Sequence, residues 1–155
     1  MKIKIRKNPN GDSRTAKKDV TFKEFQEAND MHKSDIRAVM FLLSEIILDM
    51  GLKHDWTKKS EEKLFYDNFL STMNEGTDFV RGEWYQYHIN NEKHHPLCKC
   101  HDDINLLDII EMITDCVCAG KARSGVVREI EISDEILKLA LNNTVKLIDN
   151  ITEVE

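Results

Sequence analysis

The stretch "TFKEFQEANDMHKSDIRAVMFLLSEIILDMG", residues 21–51, decides the fold class. It opens with a capping box, Thr21 and Glu24, in which each side chain can bond the backbone N–H of the other residue at a helix start. Apolar residues then recur at steps of three and four, the spacing of one helix face: Phe22, Phe25, Met31, Ile36, Val39, Met40, Leu43, Ile46, Ile47 and Met50. The pattern predicts an amphipathic helix of about eight turns that ends at Gly51.

Shorter segments of the same kind predict four further helices. Their approximate bounds are 60–73 with Ser60 as the cap, 78–91, 105–119 with a stop at Gly120, and a last helix that follows Ser133. The segment "KHHPLCKCHDD", residues 93–103, is predicted to be a loop, because Pro96 disfavours helix at the residue before it.

The N-terminal "MKIKIRK", residues 1–7, alternates apolar and basic side chains and predicts a short strand, and residues 9–11 predict a turn. The chain is therefore predicted to be mainly α, a single-domain helical bundle with a short N-terminal β appendage. We expect residues 1–20 to form a basic arm, solvated rather than bound to nucleic acid, and residues 21–155 to form the helical domain.

Composition excludes several classes of protein. The formal net charge of −6 argues against strong nucleic-acid binding, because nonspecific affinity comes from cations that neutralise phosphates. No apolar run reaches the roughly 18 residues of a membrane span, and the N-terminus lacks the apolar core of a secretory signal. We therefore expect a cytoplasmic protein, of the organism itself or in a host, and the sequence leaves a homo-oligomer open.

One histidine belongs to the first predicted helix. His32 precedes Ile36, Val39 and Leu43 by four, seven and eleven residues, so it is expected to point with the buried stripe. A buried neutral imidazole needs partners for both nitrogens. His32 is therefore either a satisfied core residue or a metal ligand.

Other ionisable residues cluster near the third and fourth predicted helices. His88 and His95 share one stripe if the third helix extends that far, and His94 lies one step around. Glu111 and Asp115 are four residues apart and share one face of the fourth helix. Taken alone, such a face is a solvated acidic stripe.

A His–Asp pair completes the pattern. His54 and Asp55 are adjacent just after the first helix, and Lys58 follows three residues later. Imidazoles and carboxylates from separate helices suit Mn, Fe, Ni, Co or Zn rather than Ca. Such an ion lowers the pKa of a bound water and polarises a phosphoryl oxygen, and a lysine offers a charge for the phosphate.

The four cysteines offer a rival metal site. "CKCH", residues 98–101, and "CVC", residues 116–118, each pair two thiols across a single residue. Structural zinc sites separate paired cysteines by two to four residues, and a one-residue gap on a helix turns Cys116 and Cys118 about 200° apart. We expect buried, apolar thiols instead of a zinc site.

The order His32, His54–Asp55, Asp115 resembles the HD-domain superfamily of metal-dependent phosphohydrolases. Three longer motifs resemble a little-characterised HD-like family of bacterial and phage genomes: "HDWTK" (54–58), "HINNEKHHP" (88–96) and "DIIEMITDCVCAGKARSG" (108–125). The likeness covers roughly residues 30–125.

The resemblance implies one or two divalent ions. The first would be bound by His32, His54, Asp55 and Asp115, and a second by ligands drawn from His88, His94 and His95. Asp55 would bridge the ions, and Glu111 would orient or deprotonate the attacking water. The substrate phosphate would be contacted by Lys58, Lys121 and Arg123.

Three functions are consistent with these residues. The first is a metal-dependent phosphohydrolase acting on a nucleotide or related phosphoester. The second is a non-catalytic metal- and nucleotide-binding HD-like protein, such as a phage accessory protein acting on host or signalling nucleotides. The third is an interaction protein whose histidines are ordinary core and surface residues. The ordered His, His–Asp and Asp favour the first function over the third.

Overall fold

The structure is a computed structural model that describes residues 2–155, so Met1, the first residue of the predicted strand, lies outside the described residues. The helices are α1 (Phe22–Lys53), α2 (Trp56–Ser60), α3 (Glu62–Glu75), α4 (Glu83–Asn91), α5 (Leu106–Ser124) and α6 (Asp134–Ile151). Short 3-10 turns cover Pro9–Gly11 and Phe79–Arg81, and the strands are β1 (Ile3–Ile5) and β2 (Thr152–Val154). The predicted mainly α fold with a small β appendage is confirmed. None of the helices in residues 2–155 is long and apolar enough to cross a membrane.

The chain forms two compact units. The central unit is Met50–Thr144, and the terminal unit joins the residues before Met50 to Val145–Glu155. In the terminal unit, β1 pairs in parallel with β2, with Ile3 opposite Thr152. The strand β2 is absent from the sequence prediction, because three residues directly after a helix carry no period of their own.

The long helix α1 starts as predicted but ends later. Thr21 donates its backbone N–H to Glu24 Oε2 at 2.8 Å, and Glu24 N–H reaches Thr21 Oγ1 at 3.3 Å, which completes the capping box. The predicted end at Gly51 is wrong, since α1 continues to Lys53. The helix stops only where Asp55 adopts a left-handed backbone conformation.

The predicted buried stripe of α1 is also wrong in large part. The buried residues of α1 are Ala28, Asp35 and Val39. Of the larger apolar residues in the predicted stripe, five are exposed, namely Phe22, Phe25, Ile36, Met40 and Ile47, and four are partly buried, namely Met31, Leu43, Ile46 and Met50. A three- and four-residue period identifies a helix face, but it does not say what covers that face.

A single ion pair fastens β1 to α1 in the terminal unit. Asp35 accepts hydrogen bonds from the Arg6 backbone N–H at 3.1 Å and from Arg6 Nε at 2.9 Å, and the guanidinium also donates to Met31 O. Asp35 is buried, while the Arg6 side chain keeps 39% of its surface exposed. The Arg6 guanidinium lowers the pKa of Asp35 below its ordinary value.

The central unit corrects two further helix boundaries. Ser60 is not a helix cap but the last residue of α2, and α3 follows after Glu61. The fourth predicted helix, α5, passes through Gly120 and ends before Gly125, whose φ is 73°. Gly120 serves a close approach instead, because a Cβ there would lie 2.7 Å from the carbonyl oxygen of Val126.

A small apolar core sets the position of α5 in the central unit. It consists of Ile104, Ile109, Met112 and Ala140, so residues of α5 pack on α6. Asn105 caps α5, and Asp108 closes the capping box by accepting the Asn105 N–H at 2.8 Å. Asp108 therefore has a structural role, and the fixed helix start places Glu111 and Asp115 one and two turns further along.

We expect Asp35→Asn to lower the free energy of unfolding by about 1–2 kcal/mol at pH 7, because it removes charge-assisted hydrogen bonds that are partly exposed to water. Asp35 has a lowered pKa in the folded chain, so this stabilisation is complete above the ordinary Asp pKa of about 3.9 and disappears as the pH falls below it. Urea unfolding of both proteins at pH 7 and pH 3 measures the effect.

The matched control is Asp30→Asn, since Asp30 lies on the same helix and forms an exposed i,i+3 pair with Lys33. Its cost should stay below about 0.5 kcal/mol. Equal losses in the two variants would contradict the role given to Asp35.

Candidate metal centre

The His–Asp pair lies in the turn between α1 and α2, in the central unit. Asp55 has φ 58° and ψ 29°, and within residues 2–155 it is the only non-glycine residue with a positive φ. The left-handed conformation costs on the order of 1 kcal/mol, and Asp is among the residues that accept it best. The turn places the side chains of His54 and Asp55 beside those of α4, α5 and the loop that joins these two helices.

Four side chains converge on one point. Asp55 Oδ1 lies 3.5 Å from His88 Nε2 and 3.5 Å from His94 Nε2, and His88 Nε2 is 2.7 Å from His95 Nε2. Ligand atoms bound at about 2.1 Å to one ion lie roughly 3.0–3.4 Å apart in octahedral or tetrahedral geometry. The measured distances lie just outside this range on either side, and the four donor atoms, all within 4.8 Å of one another, could hold a single divalent ion.

A second group shares one member with the first. It contains His54, His94 and Asp115, again with donor atoms within 4.8 Å. His54 Nε2 lies 3.6 Å from Asp115 Oδ1 and 3.4 Å from Asp55 Oδ2. The two oxygens of Asp55 thus have different neighbours, since Oδ1 faces the first group and Oδ2 faces His54 and Lys58.

Three buried atoms of the centre lack a hydrogen bond within residues 2–155, and their contacts to oppositely charged groups lie at 3.4–3.7 Å. Asp55 Oδ1 and both ring nitrogens of His94 are buried and accept or donate no hydrogen bond among the described residues. Each such atom costs about 1–3 kcal/mol when left unpaired away from water. A bound cation would satisfy Asp55 Oδ1 and one nitrogen of His94 at the same time.

Electrostatics favour the protonation states that metal binding requires at His88, His95 and Asp55, and oppose the neutral form that it requires at His94. Burial lowers the pKa of His88 to about 4 and that of His95 to about 3, so both imidazoles are neutral at pH 7. Burial also lowers the pKa of His94, but nearby carboxylates, first Asp55 and then Glu111, raise it by more. Burial raises the pKa of Asp55, and His94 and Lys58 outweigh that effect, so Asp55 is ionised.

Two buried residues behind His88 fix its tautomer. Glu92 Oε1 accepts hydrogen bonds from the Thr57 backbone N–H at 3.1 Å and from Thr57 Oγ1 at 2.9 Å. Thr57 Oγ1, its proton thus used, accepts from His88 Nδ1 at 2.6 Å. His88 Nε2 therefore carries a lone pair that faces the first group, and Trp84 stacks on the ring at a centroid distance of 4.7 Å.

Glu111 supports His54 in a similar way. Its Oε1 lies 2.9 Å from His54 Nδ1 and 3.4 Å from His94 Nδ1. A proton on His54 Nδ1 leaves Nε2 free to face Asp55 and Asp115. The role of Glu111 in orienting or deprotonating water stays a prediction. Its contact with His54 is a further, structural role that the sequence did not predict.

The remaining predicted site residues fall in different places. Lys58 Nζ forms an ion pair with Asp55 Oδ2. Lys121 and Arg123 are exposed near the end of α5, and Arg123, but not Lys121, is among the described residues that line a cavity with His95 and Asp115. His32 is exposed on α1 in the terminal unit, and it is in neither of the two groups found in the described part of the chain.

Sequence reasoning missed Thr57 and Glu92, although both lie inside the motifs "HDWTK" and "HINNEKHHP". Thr57 follows His54 and Asp55, and Glu92 lies between His88 and His94, so a hydroxyl or carboxylate side chain next to candidate ligands was the available sequence signal.

The expectation of buried thiols is wrong, because Cys98, Cys100 and Cys118 are exposed. A one-residue gap places neighbouring thiols on different faces, and no cysteine belongs to either candidate group across residues 2–155.

We expect Thr57→Val to weaken metal affinity by about 10–100-fold, because His88 loses the acceptor that fixes its tautomer. A competition titration of Mn or Zn against a chromophoric chelator measures the dissociation constant. Thr72→Val is the control, since the Thr72 hydroxyl donates to the backbone oxygen of Asn68 within α3, away from the candidate ligands. An unchanged dissociation constant for a folded Thr57→Val protein would show that the hydrogen bond to His88 does not matter for the ion.

Comparison with known proteins adds one relationship. No curated protein and no solved structure matches the chain significantly. A family model described as a family of unknown function, DUF5662, matches residues 21–153. Because this match covers nearly the whole sequence, the chain belongs to the DUF5662 family.

Proposed function

We propose that this protein is a metal-dependent phosphohydrolase that acts on a nucleotide or related small phosphoester. The observation that carries the proposal is the convergence of Asp55, His88, His94 and His95 on one point, where Asp55 Oδ1 and the His94 nitrogens are buried without a hydrogen-bond partner among the described residues. A surface or core cluster without a ligand would be expected to pair these atoms within the protein.

The HD-like pattern of the sequence supports the proposal. His54 and Asp115 are 61 residues apart in sequence (115 − 54), yet His54 Nε2 lies 3.6 Å from Asp115 Oδ1. Asp55 lies between them and the histidines of the first group. Three members of the HD-like order, His54, Asp55 and Asp115, therefore come together, whereas His32 belongs to neither candidate group among the described residues.

The proposed chemistry needs the ion, which Asp55 would help to hold, and two further side chains, Lys58 and Glu111. A divalent transition metal bound there would polarise a phosphoryl oxygen and lower the pKa of a water. Lys58 is the proposed phosphate contact, because its ammonium already binds an anionic oxygen, Asp55 Oδ2. If a bound cation neutralised the Asp55 carboxylate, the Lys58 ammonium would be available to bind the substrate phosphate. Glu111, beside His54 and His94, is the proposed proton acceptor.

The first test combines metal content with turnover. We expect protein purified without chelator to carry one or two equivalents of Mn, Fe, Ni, Co or Zn, and to release phosphate from nucleotides or p-nitrophenyl phosphate. Asp55→Asn should lose the metal and at least about 100-fold of the rate, since even partners behind a ligand contribute 10–100-fold. Elemental analysis and a phosphate-release assay with added Mn measure both quantities.

Asp55→Asn is preferred to Asp55→Ala, because Asn also accepts the left-handed backbone conformation and only the charge is removed. Asp67→Asn is the control, since Asp67 pairs with Lys63 on the exposed side of α3. Metal without turnover on any phosphomonoester or phosphodiester would replace the enzyme by a metal- and nucleotide-binding protein. Metal-free protein that cannot be loaded would overturn both functions.

A further inference from the structure

A cavity of about 480 Å³ adjoins the candidate metal centre within the central unit. His95 and Asp115, one from each candidate ligand group, belong to its lining. The other walls come from the last turns of α5 and from residues 126–131, the segment that follows α5. The volume falls in the range of sites that enclose a small molecule.

Two arginines in this cavity have no acidic partner. Arg6, Arg14 and Arg81 each form an ion pair with an aspartate. Arg123 and Arg128 line the cavity and form no such pair anywhere in the described chain. A guanidinium presents donors in a fork that matches phosphate and carboxylate oxygens, so two unpaired ones beside a cavity favour an anionic group inside it.

The wall that carries Arg128 is held in place by backbone packing. The chain turns at Gly125 in the left-handed conformation, and the Ser124 hydroxyl accepts the Val126 N–H at 3.4 Å. The following segment lies so close to α5 that only a glycine fits at position 120. Arg123 on the helix and Arg128 on this segment are therefore presented to the same cavity by two connected elements.

The rest of the lining limits the kind of molecule. Leu97, Ala119 and Val126 contribute apolar surface, whereas Glu129 and Glu131 contribute carboxylates that can accept from hydroxyl or amino groups. With Asp115, the lining carries three carboxylates against two guanidinium groups, so its positive charge is confined to the two arginines. An anion therefore has to contact the guanidinium groups directly, because a general positive field is absent.

We propose that this cavity binds the non-reacting part of the substrate, and that Arg123 and Arg128 bind a second anionic group on it. The substrate class is then a small organic phosphate with hydroxyl groups and two separated anionic groups, such as a nucleoside bisphosphate. One phosphate lies at the His95 and Asp115 end, and the other lies at the arginines. The bound molecule is a substrate only if the proposed phosphohydrolase function is right, whereas its binding in the cavity is tested separately.

The test compares adenosine 3′,5′-bisphosphate with adenosine 5′-monophosphate on the full chain loaded with Mn. Isothermal titration should show tighter binding of the bisphosphate, and Arg123→Gln and Arg128→Gln should each reduce that preference by about tenfold. Arg81→Gln is the control, since Arg81 is exposed and paired with Asp78. If both nucleotides are hydrolysed, kcat/KM should favour the bisphosphate over the monophosphate by the same factor as the binding constants do.

Hydrolysis of p-nitrophenyl phosphate separates the two proposals, because this compound has no second anionic group. Turnover of p-nitrophenyl phosphate without any preference for the bisphosphate overturns the cavity assignment and leaves the phosphohydrolase standing. Arginine-dependent binding of the bisphosphate without hydrolysis of any phosphoester overturns the enzyme and leaves the cavity assignment standing. A preference for the bisphosphate that survives in both arginine variants also overturns the assignment.

Discussion

The carboxylate of Asp55 is the group on which the candidate centre depends. One oxygen faces His88 and His94, and the other faces His54 and Lys58. The same residue supplies the left-handed turn that ends α1 and starts α2. Backbone direction and charge are therefore set at one position, and a change of side chain there alters both unless the replacement also accepts that turn.

Much of the centre is predictable from sequence, because its ligands are of few residue types and recur in short motifs. His54, Asp55 and Asp115 meet in space, as do the three histidines of residues 88–95. Thr57 and Glu92 are not predictable in this way, since their role comes from a hydrogen bond across 35 residues of sequence that no local pattern encodes.

The fold shows the same division between local and long-range information. The capping residues Thr21 and Asn105 mark true helix starts, because the bonds they make are local. The glycines mislead at the helix ends: Gly51 and Gly120 are helical, whereas Gly125 terminates α5. Only the tertiary structure reveals that Gly120 is required by the neighbouring carbonyl of Val126.

The parallel pairing of β1 with β2 has a consequence for the order of folding. Ile3 and its partner Thr152 are 149 residues apart in sequence (152 − 3), whereas the central unit is one continuous segment, Met50–Thr144. Because contacts between residues far apart in sequence form slowly, the histidine-bearing unit is expected to fold first, and the pairing of the two strands closes the terminal unit afterwards.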